Sequence, residues 1–395
     1  MRRCRVTRDF NFRDDDDALH SLLLIVIALQ SVNIEDRALK VLFDDGTSLV
    51  FEDCWLRDHC RCSACYRTDT SQRTQHILDI PDATINSVEF DKSEILITWN
   101  DNHESIYKSE FLSEFDYKIW TNKRRPRPLL WRGNEVANKV AKVHVDKFLD
   151  SVEGAKAVFT SLVDYGVALI EGVGVSLEAT ETVCKALGGI QHTLFGGMWT
   201  ISNLMLHADT AYSNVPLAVH NDNTYLHEAG GLQVFHCLEH SNGTGGESIL
   251  ADGFYGASQL KKEFPEDYEF LTTFDVEAEF LEDGHNFRYA APVIQVDKLK
   301  DLKQIRFNVY DRTAMAFSSR EECRAYYRSL RNLSRYYENP ECQWKFKLVP
   351  GLILAFDNFR LLHGRTGFTG DRVLSGSYVA RSDWLDKARA LGVIR

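Results

Sequence analysis

Two histidines and one aspartate have residue types and spacing that suit a metal site. His220 and Asp222 stand at i and i+2 in VHNDNTY, and His363 lies far along the chain in FDNFRLLHGR. Because alternate side chains of a strand share a face, this spacing predicts that His220 and Asp222 point the same way from one strand. Alone, such a pair more often marks the polar face of a surface strand. With His363, the set matches the two-histidine, one-carboxylate site of non-haem Fe(II) oxygenases, whose open positions take O₂ and a co-substrate.

An arginine follows His363 on a predicted strand. In RVLSGSYVAR, the side chains of Arg372, Leu374, Gly376 and Tyr378 fall on one face at a period of two. A surface arginine on an edge strand is the ordinary alternative. Beside a metal, an inward guanidinium indicates an anion, and the distal carboxylate of 2-oxoglutarate fits it as a bidentate partner.

A second cluster suits a different metal. Cys60, Cys62 and Cys65 stand close together in DHCRCSACY. Three thiolates and a fourth ligand make a closed tetrahedral zinc site, which is structural rather than catalytic. The adjacent His59 is disfavoured as that ligand because its position strains the tetrahedron, and three free thiols remain the alternative.

The composition is that of an ordinary globular protein. The 395 residues carry a net charge of −11 without a basic stripe, which argues against a nucleic-acid partner. The nine cysteines are odd in number and suggest a reducing, intracellular setting.

The N-terminus is arginine-rich like a mitochondrial presequence, but four aspartates follow at 14–17. The apolar run at 22–32 is too short to span a membrane, and no later stretch is apolar enough.

The elements needed to position these residues are mostly short strands. Residues 38–120 have the pattern of strands and hairpins, and 121–131, with its prolines and basic residues, has that of a linker. Beyond 145, an amphipathic helix and a second helix with a serine cap precede a strand-rich region that one helix interrupts near 318–337. The pattern predicts a mainly β protein of the jelly-roll or cupin kind, with flanking helices, and disfavours a Rossmann fold because its glycine motif is missing. We divide the chain into an N-terminal extension (1–37), a small β-rich zinc domain (38–125) and a catalytic domain (126–395).

From about residue 40 onward the chain resembles the 2-oxoglutarate-dependent dioxygenases of carnitine synthesis. The resemblance lies in these stretches: WLRDHCRCSACY, GGMWT, DTAY, HNDNTY, GLQVFHC, TGGES, DGFY, FDNFRLLHGR and FTGDRVLSGSYVARSDWL. Asn221, between the two ligands, departs from the more usual threonine.

The resemblance implies a double-stranded β-helix fold and a set of cofactors. His220, Asp222 and His363 would bind Fe(II), Arg372 and Ser248 would bind 2-oxoglutarate, and ascorbate would support activity. His103 would complete the Zn(II) site with the three cysteines. The family also implies a homodimer and a mitochondrial location, with the cytoplasm as the alternative.

The substrate that the family implies is a small trimethylammonium amino acid, hydroxylated with O₂. Such a cation cannot donate hydrogen bonds and is held by aromatic faces. The cage would consist of Phe195, where tyrosine is usual, with Trp199, Tyr212 and Tyr378, although core packing is the ordinary role of such rings. Asn308 matches a residue that contacts the substrate's carboxylate end. Asp209 stands where the γ-butyrobetaine enzymes have asparagine, so it favours trimethyllysine, whose α-ammonium it would attract.

Other functions stay open at this point. The chain could hydroxylate γ-butyrobetaine to carnitine rather than trimethyllysine at C3. It could instead oxidise methylated lysine within a protein, which needs a pocket open to a chain. A non-enzymatic scaffold is a third interpretation, and the complete triad with Arg372 argues against it.

Overall fold

The protein divides into two compact units, and the division falls after Arg125. A computed structural model describes residues 27–125, 127–202, 213–282 and 284–394. Each unit has its own hydrophobic core and is described by itself below.

The N-terminal unit consists of small antiparallel sheets and short helices. Its strands are β1 Leu29–Glu35, β2 Ala38–Phe43, β3 Ser48–Glu52, β4 Tyr66–Arg67, β5 Gln72–Arg73, β6 Ile85–Phe90, β7 Glu94–Trp99 and β8 Glu104–Lys108. Its helices are α1 Asp53–Asp58, α2 Ser109–Ser113 and α3 Tyr117–Arg124. The strands pair as β1-β2-β3, β6-β7-β8 and β4-β5.

Alternating hydrophobicity forms the core of this unit. Leu39, Val41 and Phe43 of β2 are fully buried, and alternate residues of β7 are buried in the same cluster. The two predicted hairpins are confirmed, and Gly46 with its positive φ of 85° allows the tight turn between β2 and β3.

Two details of the sequence prediction were wrong here. Residues 53–58 and 109–113 are helical, whereas strands and turns were expected. Helix α3 also runs to Arg124, so the first part of the predicted linker at 121–131 is helix. The Asp116 side chain accepts a hydrogen bond from the Ile119 amide and caps the start of α3, and the helix ends before the prolines at 126 and 128.

The C-terminal unit has these strands: β9 Lys142–His144, β10 Val167–Glu171, β11 Ile190–Gln191, β12 Trp199–Ile201, β13 Leu217–His220, β14 Leu232–Ser241, β15 Ser248–Asp252, β16 Asp275–Glu282, β17 His285–Pro292, β18 Ile294–Val296, β19 Leu302–Ile305, β20 Gln343–Phe346, β21 Ile353–Asp357, β22 Leu361–Arg365 and β23 Asp371–Val379. Its helices are α4 Val145–Asp150, α5 Val152–Tyr165, α6 Leu177–Leu187, α7 Gly253–Glu263, α8 Pro265–Thr273, α9 Arg320–Tyr337 and α10 Arg381–Ala390.

Two sheets form the barrel of this unit. The larger sheet has the order β11-β23-β14-β21-β10-β9, with β12 also paired to β23, and the smaller has the order β13-β22-β15-β20. Helices α5, α6 and α10 pack on the larger sheet, and α7, α8 and α9 pack against strands of the smaller one. A third cluster, which includes Leu250, Leu354 and Leu374, fills the space between the sheets. This architecture confirms the predicted double-stranded β-helix with flanking helices.

The predicted helices of this unit are confirmed. Ser151 and Ser176 cap α5 and α6 through their side chains, and the long helix expected near 318–337 is α9. Helices α7 and α8 and the β16–β17 hairpin had not been predicted. Among the described residues, no helix is long and apolar enough to cross a membrane.

Candidate active site

The two histidines come from neighbouring strands of the smaller sheet. His220 is the last residue of β13, and its register partner across the antiparallel pair is His363 of β22. Cross-strand partners project from the same face, so both imidazole rings enter the space between the sheets. Their ring centroids are 4.4 Å apart.

Asp222 reaches the same point by a different route from the predicted one. The strand ends at His220, and Asp222 lies in the turn that follows, so the expectation of one strand carrying both ligands was wrong. Asn221 holds this turn: its side-chain amide donates to the carbonyls of Asn358 (2.9 Å) and Leu361 (3.0 Å). The Asp222 amide in turn donates to the Asn358 side chain at 3.0 Å. These hydrogen bonds, and not the alternation of a strand, hold the Asp222 carboxylate beside the two histidines.

The three side chains have the geometry of a metal site. Oδ1 of Asp222 lies 3.2 Å from Nε2 of His220 and 3.7 Å from Nε2 of His363. All three donor atoms lie within 4.8 Å of one another. Two donors bound at right angles about 2.1 Å from an ion are about 3.0 Å apart, so small movements would let this set close on one ion.

The electrostatics suit a divalent cation. Burial lowers the pKa of His363 to about 3, so the ring is neutral and its nitrogen lone pair is available to a metal. Burial by itself raises the pKa of Asp222, but His363, His220 and Tyr378 together hold that pKa well below its usual range. The carboxylate is therefore ionised at neutral pH.

A cavity opens beside the triad, and aromatic rings form much of its wall. The predicted cage residues Phe195, Trp199 and Tyr378 line it, and the Trp199 and Tyr378 ring centroids are 5.9 Å apart. The Trp199 indole packs against β23 at Gly376. A Cβ at that position would collide with the indole, so only glycine leaves room for it. Sequence reasoning missed further rings in the same wall: Tyr225, Phe235, Phe280 and Tyr310. Phe280 comes from the unpredicted β16–β17 hairpin.

Two predicted substrate contacts, Asp209 and Tyr212, lie outside the described residues. Asn308 lines the cavity, but its amide nitrogen already donates to the Asn221 carbonyl (3.0 Å) and to Asp311 (2.8 Å). Asn308 thereby braces the turn that carries Asp222. Asp311, which sequence reasoning did not single out, also lines the cavity.

Arg372 and Ser248 lie in the same cavity as the triad. Arg372 is 6% exposed, its guanidinium lies 5.6 Å from the Phe368 ring centroid, and within the described chain no carboxylate forms an ion pair with it. Burial lowers its pKa to about 10, so it remains charged at neutral pH. A second arginine, Arg365, also lines the cavity and lies against the same ring at 4.8 Å. The buried Arg372 guanidinium, which has no carboxylate partner among the described residues, suits an anionic ligand.

The cysteine cluster of the N-terminal unit converges on His103. Its Nε2 atom lies 3.3 Å from Sγ of Cys60 and 3.7 Å from Sγ of both Cys62 and Cys65. In a tetrahedral zinc site with ordinary bond lengths, sulfur and nitrogen ligands are about 3.6 Å apart, so this donor set fits zinc. His59 stands apart from the cluster and stacks on Trp55, with centroids 4.1 Å apart.

A double-stranded β-helix with two histidines and one aspartate in its mouth defines the class of mononuclear non-haem iron oxygenases. Residues 132–378 match the model of the "Taurine catabolism dioxygenase TauD, TfdA family", and residues 31–113 match "Gamma-butyrobetaine hydroxylase-like, N-terminal".

Two human relatives agree with these matches. Human "Trimethyllysine dioxygenase, mitochondrial" is 36% identical over 356 residues, which cover 88% of this chain and 84% of that protein. Human "Gamma-butyrobetaine dioxygenase" is 26% identical over 362 residues, which cover 88% of this chain and 91% of that one. A solved taurine dioxygenase from Burkholderia xenovorans is 14% identical, with a TM-score of 0.47 over 65% of this chain and 91% of that one.

The chain belongs to the TauD, TfdA family of dioxygenases, within the branch that includes the trimethyllysine dioxygenases. It is an Fe(II)- and 2-oxoglutarate-dependent dioxygenase, and the predicted family resemblance is confirmed.

Proposed function

We propose that the protein hydroxylates free trimethyllysine at C3, using O₂ and 2-oxoglutarate. The observation that supports this most strongly is the aromatic cavity beside the triad, in a chain 36% identical to human trimethyllysine dioxygenase. A trimethylammonium group is attracted to ring faces, and Trp199 and Tyr378 offer two of them next to Asp222.

We assign Fe(II) to His220, Asp222 and His363, and the distal carboxylate of 2-oxoglutarate to Arg372 and Ser248. Bound iron would supply O₂ activation and cleavage of the substrate C–H bond, coupled to decarboxylation of 2-oxoglutarate to succinate. The protein's own part is to orient the two organic molecules and to exclude water.

The described residues that line the cavity carry two carboxylates, Asp222 and Asp311, and two guanidinium groups, Arg365 and Arg372. Because Asp222 is assigned to iron and Arg372 to 2-oxoglutarate, Asp311 is the carboxylate that can meet an α-ammonium group. Asp311 is held by Asn308 (2.8 Å) and Thr224 (3.3 Å). Trimethyllysine brings an α-ammonium group that such a charge attracts, whereas γ-butyrobetaine ends in a lone carboxylate that it repels. The sequence assigns a similar effect to Asp209, and that stays a prediction.

A substrate panel tests the proposed function. Succinate release from 2-oxoglutarate should be stimulated most by free trimethyllysine, less by γ-butyrobetaine and least by a trimethyllysine-containing peptide. The hydroxylated product should be identified by mass spectrometry with deuterium at C3, since loss of that label locates the reaction. Greater turnover of γ-butyrobetaine or of the peptide would replace our assignment by the corresponding alternative.

We further propose a structural Zn(II) at Cys60, Cys62, Cys65 and His103. Purified protein should contain about one zinc per chain, because four donors close the coordination sphere. Cys60→Ser should lose the zinc and lower the unfolding temperature of the N-terminal unit, since metal binding is coupled to folding. The matched control is Cys54→Ser, which changes an exposed free thiol of the same unit and should keep both. Full zinc content in Cys60→Ser would refute the ligand set.

The mitochondrial location, the homodimer and the ascorbate requirement stay predictions. The first is supported by the name of the human relative, "Trimethyllysine dioxygenase, mitochondrial".

A further inference from the structure

The second oxygen of the Asp222 carboxylate has two hydrogen-bond donors of its own. Oδ2 accepts a bond from Nε2 of Gln233 at 2.5 Å and from the Tyr378 hydroxyl at 2.7 Å. Oδ1, by contrast, is the atom closest to both histidines. The two oxygens of one carboxylate therefore face different partners.

The sheet register creates this arrangement. Gln233 of β14 and Tyr378 of β23 are direct antiparallel partners, so their side chains leave the larger sheet side by side on one face. Asp222 approaches from the other side of the cavity, on the turn after β13. The carboxylate thus bridges the smaller sheet's turn to a donor pair on the larger sheet.

Both donors to Oδ2 are buried, so a polar side chain at either position needs a reason. Gln233 is 1% exposed and Tyr378 is 4% exposed. Because an ionised carboxylate only accepts, the Gln233 amide must present its nitrogen to Asp222. Its Oε1 is then buried without a hydrogen-bond partner among the described residues. An orphan buried acceptor is destabilising, so an apolar side chain would suit packing better than glutamine.

We propose that Gln233 and Tyr378 are positioning residues that hold Oδ2 of Asp222, so that the carboxylate meets iron through Oδ1 alone. The inference rests on the iron site proposed above. An octahedral ion with three protein donors keeps three positions, two for a chelating 2-oxo acid and one for O₂. A carboxylate bound through both oxygens would take the last of these. We call Gln233 and Tyr378 the Asp222 clamp.

The clamp also joins the metal site to the cation cage. The ring of Tyr378 lies beside Trp199, while its hydroxyl holds Asp222. One side chain therefore touches both the trimethylammonium subsite and the iron ligand. Phenylalanine at this position separates the two roles, because it keeps the ring and removes the hydroxyl.

The experiment measures metal affinity rather than turnover. The full-length, zinc-loaded protein is titrated with Co(II), followed by the visible absorption of the bound ion. Tyr378→Phe and Gln233→Met should each raise the Co(II) dissociation constant about 10- to 100-fold, as loss of a hydrogen bond to a metal ligand does elsewhere. The Co(II) spectrum should also change shape, because the freed Oδ2 enters the coordination sphere.

Tetramethylammonium serves as the probe of the cage. Tyr378→Phe should bind tetramethylammonium with wild-type affinity. Trp199→Leu should lose tetramethylammonium binding but keep the wild-type affinity for Co(II). This opposite pattern separates the clamp from general damage to the cavity.

Wild-type Co(II) affinity and spectrum in both clamp variants would overturn the proposal. A second result would also overturn it: weaker Co(II) binding in both variants together with a lower unfolding temperature of both metal-free proteins. That result would mark the two residues as structural only. Gln233→Met removes at similar volume both the orphan acceptor and the hydrogen bond to Asp222, so the two effects on stability oppose each other and the metal-free variant should unfold near the wild-type temperature. The wild-type protein could fail to turn over trimethyllysine while both clamp variants still bind Co(II) more weakly than it does. That result would sustain the clamp and refute the proposed substrate alone.

Discussion

His363→Ala should reduce substrate-dependent succinate release to background. The variant removes one of three donors that lie within 4.8 Å of one another, and alanine offers no replacement ligand. A bound metal supplies several kcal/mol to the reaction it assists, so the expected loss is about three orders of magnitude or more. Fe(II) or Co(II) binding at the barrel site should fall with it.

The matched control is His227→Ala, which removes an exposed histidine five residues beyond Asp222. Its ring contacts Tyr289 and does not line the cavity. This control should keep wild-type metal binding and turnover. Activity within tenfold of wild type in His363→Ala would show that the iron ligands are assigned wrongly.

Arg372→Ala should raise the 2-oxoglutarate KM far more than the substrate KM. The guanidinium is buried and charged, and no described carboxylate neutralises it. Removing one partner of a buried charge pair costs about 2–5 kcal/mol, which corresponds to a rise of roughly 30- to 5,000-fold. Arg372→Lys should give an intermediate value, because it keeps the charge and loses the planar fork.

The control for a general effect of arginine removal is Arg335→Ala, at an exposed position of α9. It should leave the apparent affinities for co-substrate and substrate unchanged. If Arg372→Ala weakens the apparent affinities for the co-substrate and for the amino-acid substrate by the same factor, Arg372 does not bind the co-substrate. Added carboxylates of shorter chain length should not rescue the alanine variant, whereas guanidinium ion should restore part of its activity.

Much of the architecture follows from local sequence. Some signals act within a single element and can be read without the fold. They are the alternating burial in β2 and β7, the serine caps on α5 and α6, and the polarity of α9. The cysteine spacing of the proposed zinc site is equally local. His103 joins it only through folding of the N-terminal unit, in which β8 begins one residue later.

The triad shows where local reasoning failed. The sequence determined which residues approach one another at this site, because histidines and a carboxylate in such motifs have few other uses together. It predicted the wrong path for Asp222, since the strand ends at His220 and the turn depends on bonds between Asn221 and Asn358, 137 residues apart. No periodicity within residues 217–225 encodes a partner so distant.

Only the tertiary structure decided where Gln233 and Phe280 lie. Gln233 lies in the quoted motif GLQVFHC, but its place beside Tyr378 depends on the register of β14 against β23. Phe280 reaches the cavity through a hairpin of largely half-buried strands that sequence reasoning did not predict. Side-chain chemistry is a property of the residue, and the sequence therefore determined the kinds of site. Which oxygen of Asp222 lies nearer the histidines, and which rings line the cavity, depends on contacts between strands far apart in the chain.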